Sequence, residues 1–164
     1  MIGILYDSRS GNTKKLADAL HEAMPDARFG RPGEVDLSGC GTVYLGFWTD
    51  KGACSEALRA ILPALAGKRV FLFGTAGFGV SQPYFEQILG RVEALLPPDC
   101  TVIGRFMCAG QMGGGNRAPY EAMAANPDTR ERGERLLAAF DSSFGHPDAG
   151  DADALLAAAG LFEI

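Results

Sequence analysis

The stretch Ile2–Thr13, IGILYDSRSGNT, decides the fold. Its first part, Ile2–Tyr6, is a continuous apolar run, as expected of a strand that is buried on both faces. A small polar loop completes the stretch, and Leu16, Ala17 and Leu20 then recur with a helical period. This order of strand, tight loop and helix predicts the opening βα unit of a parallel sheet.

The same pattern recurs along the chain. Apolar runs at 42–47 and 69–73 are each followed by a loop and a helical period, and a run at 101–106 precedes helices near 130–140 and 151–159. A weak segment near 27–29 is a candidate edge strand. Strands that alternate with helices predict an α/β fold whose parallel sheet is covered on both faces. Ligands bind such sheets at the carboxyl edge of the strands.

The connections between these strands differ in length. Only about a dozen residues separate the weak segment from the run at 42–47, barely the length of a crossover, so we expect the helix there to be absent or very short. After that run, four apolar residues share one helical face and predict a single helix. They are Leu58, Ile61, Leu62 and Leu65.

Composition excludes several classes of protein. The chain has 164 residues, a formal net charge of −5 and 47% hydrophobic residues, which suits one domain with a full core rather than a disordered chain. The acidic balance argues against nucleic-acid binding, and no apolar run approaches the roughly 20 residues of a membrane helix. Because Met1 leads straight into the first strand without a basic region, we expect no secretory signal and a cytoplasmic protein.

Four cysteines, Cys40, Cys54, Cys100 and Cys108, include no Cys-x-x-Cys pair, and no histidine stands at zinc-finger spacing. This argues against a metal cluster and a thioredoxin-type site. We therefore expect four ordinary thiols and no metal site.

The loop after the first strand carries the strongest chemical signal. Hydroxyls of Ser8, Ser10 and Thr13, the amide of Asn12 and free backbone N–H groups converge at the start of a helix, where the helix dipole favours an anion. Gly11 permits a tight backbone turn. The loop lacks both G-x-G-x-x-G and the Walker motif, so it suits a single terminal phosphate better than a pyrophosphate. The alternative is that Ser or Asn merely caps the helix.

The run Ile4–Thr13, followed by Ala17 and Leu20, resembles the N-terminal signature of the flavodoxin family. This resemblance implies a three-layer, doubly wound α/β fold with five parallel strands in the order 2-1-3-4-5. It also implies FMN as a noncovalent cofactor with its phosphate in the first loop. The residues that the resemblance assigns to this loop are Ser8, Arg9, Ser10, Gly11, Asn12 and Thr13.

In flavodoxins the second and third loops hold the isoalloxazine ring, often between aromatic side chains. Trp48 is the sole tryptophan and the first candidate for ring stacking, although Trp48 or Phe47 can equally be a core residue. A cation beside the ring makes the flavin easier to reduce, and Lys51 and Arg9 therefore predict a less negative potential than is usual in the family. The residues assigned to these loops are Phe47, Trp48, Thr49, Gly52, Thr75, Ala76 and Gly77, and the third loop continues through Phe78 to Gly79.

The last third of the chain is less informative. Residues 108–111 leave the last strand at the same carboxyl edge and either border the ring or form a plain loop. The glycine-rich segment 113–117 is either a lid or a surface loop. We expect one domain over 1–164 with a C-terminal helical tail from about 141. Residues 143–148 and the following helix resemble the tail of a small-flavodoxin subgroup of anaerobic gut bacteria, some of which serve beside a bilirubin reductase.

The resemblance implies an FMN-binding electron carrier that acts between a reductase and an acceptor protein, as a monomer or weak dimer, without nucleic acid or membrane as a partner. The alternative is an FMN-dependent oxidoreductase of the quinone or protoporphyrinogen type that acts directly on a substrate or NAD(P)H. A third possibility is an interaction module that kept the fold without a cofactor. Bleaching of the yellow protein by NADH without a reductase favours the enzyme, and colourless protein that refuses FMN favours the module.

Overall fold

Five parallel strands form one sheet in the order β2-β1-β3-β4-β5 in the computed structural model, which describes residues 1–78 and 81–161. This order and the α/β class confirm the prediction. β1 ends where its apolar run ends, whereas β3, β4 and β5 extend further toward the carboxyl edge than their apolar runs indicated. The strands are β1 Ile2–Tyr6, β2 Arg28–Gly30, β3 Thr42–Trp48, β4 Arg69–Ala76 and β5 Thr101–Ala109.

Helices cover both faces of the sheet. None of the described helices is long and apolar enough to cross a membrane. Two short 3₁₀ turns, Leu62–Leu65 and Gly114–Asn116, accompany the α-helices. The helices are α1 Asn12–Ala23, α2 Glu56–Arg59, α3 Gln82–Glu93, α4 Arg117–Ala125, α5 Arg130–Ser143 and α6 Ala149–Ala158.

The sheet separates two hydrophobic cores, because successive side chains of a strand point to opposite faces. One core joins Leu45 and Leu72 of the sheet to Ile88 of α3. The other joins Ile4 of the sheet to Leu16 of α1 and Leu155 of α6. The segment predicted as a helical tail thus comprises the end of α5 and then α6, whose Leu155 is fully buried against the sheet and α1.

The connections from β2 to β3 and from β3 to β4 contain no long helix. Residues 31–41 cross from β2 to β3 through turns alone, as the short spacing predicted, and Arg28 Nη1 braces them by donating to the carbonyl oxygens of Asp36 (2.6 Å) and Ser38 (3.0 Å). The prediction of a single helix after β3 is wrong. This segment is divided into α2 and the 3₁₀ turn, because Pro63 has no N–H to donate to a helical hydrogen bond.

Between β5 and α6 the chain forms a helical hairpin from α4 and α5. The sequence did not predict α4. The two helices cross closely at Gly133, where an added Cβ would lie 2.3 Å from the backbone nitrogen of Ala124. A residue without a side chain is therefore required at this crossing.

Phenylalanine and glycine alternate across β3 and β4 at the end that leads to the carboxyl edge. Gly46 pairs with Phe73 and Phe47 pairs with Gly74. Each ring occupies the space that a Cβ on the opposite glycine would fill, since such a Cβ would lie 2.4 Å from the ring in both cases. The two pairs lie on opposite faces of the sheet and are fully buried. They fix the register of the strands from which the second and third loops emerge.

This packing predicts that Gly74→Ala lowers the free energy of unfolding by about 1 to 3 kcal/mol, because the methyl group and the Phe47 ring compete for one space. In a Phe47→Leu background the same substitution is expected to cost less, with a coupling of at least about 0.5 kcal/mol. Urea unfolding of the four proteins measures this cycle.

The control is Gly90→Ala in α3, where nothing lies within 4 Å of the added Cβ. This change is expected to stabilise the protein by about 0.5 to 1 kcal/mol. Equal costs for Gly74→Ala in both backgrounds would show that the Phe47 ring does not fill this space.

Candidate functional site

A cavity of about 370 Å³ opens at the carboxyl edge of the sheet, where the loops after β1, β3, β4 and β5 meet. Its volume falls in the range of small-molecule sites. The structure brings most of the predicted site residues together around it. These lining residues are Ser8, Arg9, Ser10, Asn12, Thr13, Trp48, Thr49, Thr75, Ala76 and Gly77.

The first loop turns sharply at Gly11, whose φ of 94° lies in the left-handed region. The buried hydroxyl of Ser8 accepts hydrogen bonds from the backbone N–H groups of Gly11 (3.1 Å) and Lys14 (3.3 Å). These two bonds hold the loop closed against the first turn of α1. Ser8 therefore shapes the loop from inside.

The remaining N–H groups of this turn are available to a ligand. Among the described residues, the backbone N–H groups of Arg9, Ser10, Asn12 and Thr13 have no acceptor within hydrogen-bond distance. The first N–H groups of a helix have no intrahelical partner, and together with a left-handed residue they form a concave site for an anion. The dipole of α1 adds partial positive charge there.

Hydroxyl groups tie the loops to one another. Thr13 Oγ1 donates to the carbonyl oxygen of Phe47 (3.2 Å) and lies 3.1 Å from Thr75 Oγ1. Because the Thr13 hydroxyl already donates its only hydrogen to the Phe47 carbonyl, the Thr75 hydroxyl donates to Thr13 Oγ1. Thr49 donates to the carbonyl of Thr75 through both its backbone N–H (3.0 Å) and its hydroxyl (2.8 Å). The first three loops are thus joined below the cavity.

Trp48 forms a fixed, half-buried wall of the cavity. Its indole N–H donates to Asp7 Oδ2 at 3.0 Å, and Ser55 donates to the same oxygen. The guanidinium of Arg9 lies 5.6 Å from the centroid of the Trp48 ring, within the range of a cation–π contact. The ring is therefore held in one orientation before any ligand arrives.

Three predicted site residues do not line the cavity. Phe47 is fully buried in the core against Gly74, so its side chain packs and only its carbonyl faces the first loop. Gly11 shapes the turn, and Gly52 accepts a bond from Arg91 (3.4 Å) in a tight turn beyond Trp48. Lys51 in that turn is exposed and does not line the cavity. Gly79 lies outside the described residues.

The fourth loop supplies lining residues that the predicted set does not include. Their backbone and side chains close the side of the cavity that faces β5, which supports the bordering role left open for residues 108–111. Four glycines after the end of a strand at the shared edge were the available signal. The added residues are Gly110, Gln111, Met112, Gly113 and Asn116.

Gln111 connects the first loop to the segment before α6. Asn12 Nδ2 donates to the Gln111 carbonyl (2.9 Å), while the Gln111 N–H donates to the His146 carbonyl (2.7 Å). Gly145 N–H donates to Gln111 Oε1 (2.9 Å). The amide of Asn12 therefore holds the fourth loop in place beside the N-terminus of α1.

His146 anchors this segment to α6. Its Nδ1 lies 2.7 Å from Asp151 Oδ2, and the hydrogen bond to Asp151, with the negative charges of Asp151 and Asp148, raises the pKa of His146. The two carboxylates also form the capping box of α6.

In the same region, burial raises the pKa of the Cys108 thiol. Burial likewise raises the pKa of Cys54, so these thiols are protonated near neutral pH.

Comparisons with known proteins agree on one family. A model described as the flavodoxin domain matches residues 3–160. A flavodoxin-like domain-containing protein BilS of Clostridioides difficile (strain CD3) is 29% identical over 155 residues, which is 88% of this chain and 86% of that protein. Its namesake in Clostridium symbiosum (strain WAL-14163) is 33% identical over 169 residues, 90% of this chain and 88% of that protein.

One solved structure with the same fold carries a ligand. It is a flavoprotein in complex with FMN from Lactobacillus acidophilus NCFM, with a TM-score of 0.54 and 16% identity. The match covers 65% of this chain and 91% of that chain. At this identity the likeness describes the fold.

The ion pair of His146 and Asp151 predicts a pH-dependent stability. Because the folded pKa of His146 lies above its ordinary value of 6.5, the contribution of the pair is fully present below that value and is lost as pH rises through the folded pKa. Between about pH 6 and about pH 9, the wild type is expected to lose more unfolding free energy than His146→Gln. Urea titrations across this range measure the difference, and parallel profiles for the two proteins would refute it.

Proposed function

The chain belongs to the flavodoxin domain family, and from this we propose that it binds FMN in the cavity and carries electrons between a reductase and an acceptor protein. The observation that carries the proposal is a set of backbone N–H groups at the start of α1 that have no acceptor in the described part of the chain, those of Arg9, Ser10, Asn12 and Thr13. They face a cavity of about 370 Å³ that continues along the sheet edge.

These groups fit a phosphate monoester. A phosphate of this kind carries about −1.5 to −2 charges near neutral pH and three strong acceptor oxygens. Several converging N–H groups and the dipole of α1 match both its charge and its hydrogen bonds. The exposed hydroxyl of Ser10, which lines the cavity, adds a further donor. Larger phosphate groups are less suited because the loop lacks the glycine-rich motifs that bind them.

The rest of the cavity suits a flat aromatic ring. The Trp48 indole, held by its bond to Asp7, lines the cavity, and residues Ala76–Gly77 and Gly110–Met112 of the third and fourth loops line it as well. Aromatic rings favour offset stacking on such a face. When bound, FMN supplies the redox chemistry, while the protein supplies binding, orientation and electrostatics.

The composition of the cavity supports a carrier over an enzyme. Among the described residues that line it, none is a carboxylic acid, a histidine or a cysteine, and Arg9 is the one charged group. General acid–base catalysis needs a side chain with a pKa near the working pH in reach of the substrate. Electron transfer to a protein needs no such group, because the ring and its exposed edge are sufficient.

Fluorescence of Trp48 tests the binding directly, because this protein has one tryptophan. We expect FMN added to the apoprotein to quench Trp48 emission to saturation at one equivalent, since the ring and the indole share the cavity. A titration of the urea-unfolded protein is the control for light absorbed by free FMN. Emission that stays unchanged, after that correction, up to a large excess of FMN would contradict the proposal.

The charge of Arg9 predicts the direction of a redox shift. A cation that lines the cavity stabilises the negative charge that accompanies reduction, so Arg9→Gln is expected to make the two-electron potential more negative, by on the order of 30 mV for a contribution of about 1.4 kcal/mol. Lys51→Ala is the matched control, because Lys51 is exposed outside the cavity. Spectrophotometric redox titrations compare the three proteins, and a larger shift for Lys51→Ala than for Arg9→Gln would reverse the assignment.

A further inference from the structure

Arg31 reaches the first loop from a distant part of the sequence. It directly follows β2 in the crossover 31–41, and its Nη1 donates to the carbonyl oxygen of Ser8 at 2.9 Å. Its guanidinium also lies 5.2 Å from the centroid of the Tyr6 ring. A hydrogen bond and a cation–π contact thus hold a half-buried positive charge against the outside of the loop.

Within the described residues no carboxylate forms an ion pair with the Arg31 guanidinium. The nearby Glu34 accepts instead from the backbone N–H of Arg31 (3.0 Å). The hydrogen bond and the negative charge of Asp18 raise the pKa of Lys14, and the positive charge of Arg31 opposes this rise. The field of Arg31 therefore reaches the first turn of α1.

A second arginine beside this loop, Arg9, serves a different part of the cavity. The guanidinium of Arg9 lies over Trp48, which is at the end assigned to the ring. Arg31 instead contacts Ser8, the residue whose hydroxyl closes the turn of free N–H groups. The two charges are therefore separated in their effects on a ligand that has a phosphate at one end and a ring at the other.

We propose that Arg31 makes the site selective for the phosphorylated flavin over the same flavin without its phosphate. The inference rests on the proposed function. A fixed positive charge behind the loop stabilises a bound dianion by Coulomb attraction, and it gives little to an uncharged hydroxyl in the same place. The neutral N–H groups and hydroxyls of the loop supply hydrogen bonds, and Arg31 supplies the charge that distinguishes the two ligands.

The test compares the dissociation constants of FMN and riboflavin for the apoprotein, read by flavin and Trp48 fluorescence. Arg31→Gln is expected to weaken FMN about tenfold while leaving riboflavin unchanged, so that the ratio of the two constants shifts about tenfold. Arg31→Lys, which keeps the charge, is expected to retain most of the selectivity. Added salt should reduce the selectivity of the wild type more than that of Arg31→Gln.

The matched control is Arg28→Gln, because Arg28 braces the same crossover through Asp36 and Ser38 without contacting the first loop. The ratio of its dissociation constants for FMN and riboflavin should equal that of the wild type. If Arg31→Gln weakens the binding of FMN and of riboflavin equally, Arg31 has a merely structural role. If Arg31→Lys loses as much selectivity for FMN over riboflavin as Arg31→Gln does, charge is excluded as the cause. Either result overturns the inference while FMN binding by the wild type stands. Failure of the wild type to bind either flavin would instead remove the proposed function itself.

Discussion

Backbone N–H groups that have no acceptor among residues 1–78 and 81–161 are the constraint on which this structure depends. A buried or half-buried donor without a partner is unfavourable, and half-buried Asn12 and buried Thr13 hold two of them together at the start of α1. Gly11 produces the required turn, and the Ser8 hydroxyl closes it by accepting from Gly11 and Lys14. Much of the surrounding structure maintains this arrangement: Thr13 is bonded to β3, Asn12 to the loop after β5, and Ser8 to Arg31.

The strands bring the remaining loops to the same place. Parallel register places the ends of β1, β3, β4 and β5 along one edge, and the reciprocal pairs of phenylalanine and glycine in β3 and β4 keep that register close to the cavity. Packing in the core and geometry in the site are thus linked through Phe47. Its ring covers Gly74, while its carbonyl accepts a hydrogen bond from the Thr13 hydroxyl. One residue contributes to stability through its side chain and to the site through its backbone.

Short sequence patterns predicted the features that depend on neighbouring residues alone. The apolar strands, the glycine turn and the start of α1 follow from short stretches of sequence, and the strand order followed from the family resemblance that the first loop carries. Long-range contacts determined the rest. Nothing near Phe47 indicates that its ring faces a glycine on the next strand, and nothing near Gln111 indicates its bonds to Asn12 and His146. The helix α4 was missed because none of its residues is buried, so it leaves no strong apolar period to detect.

Phosphorus NMR of the FMN-bound protein tests the central claim most directly, since it observes the one group that the free N–H groups are proposed to bind. A free phosphate monoester changes protonation near pH 6. If the first loop of this protein holds the dianion, the phosphorus resonance of the bound ligand will keep its position from about pH 5 to about pH 8. A bound resonance that moves with pH as it does in free FMN would show that the phosphate lies in water and that the N–H groups of the first loop do not hold it.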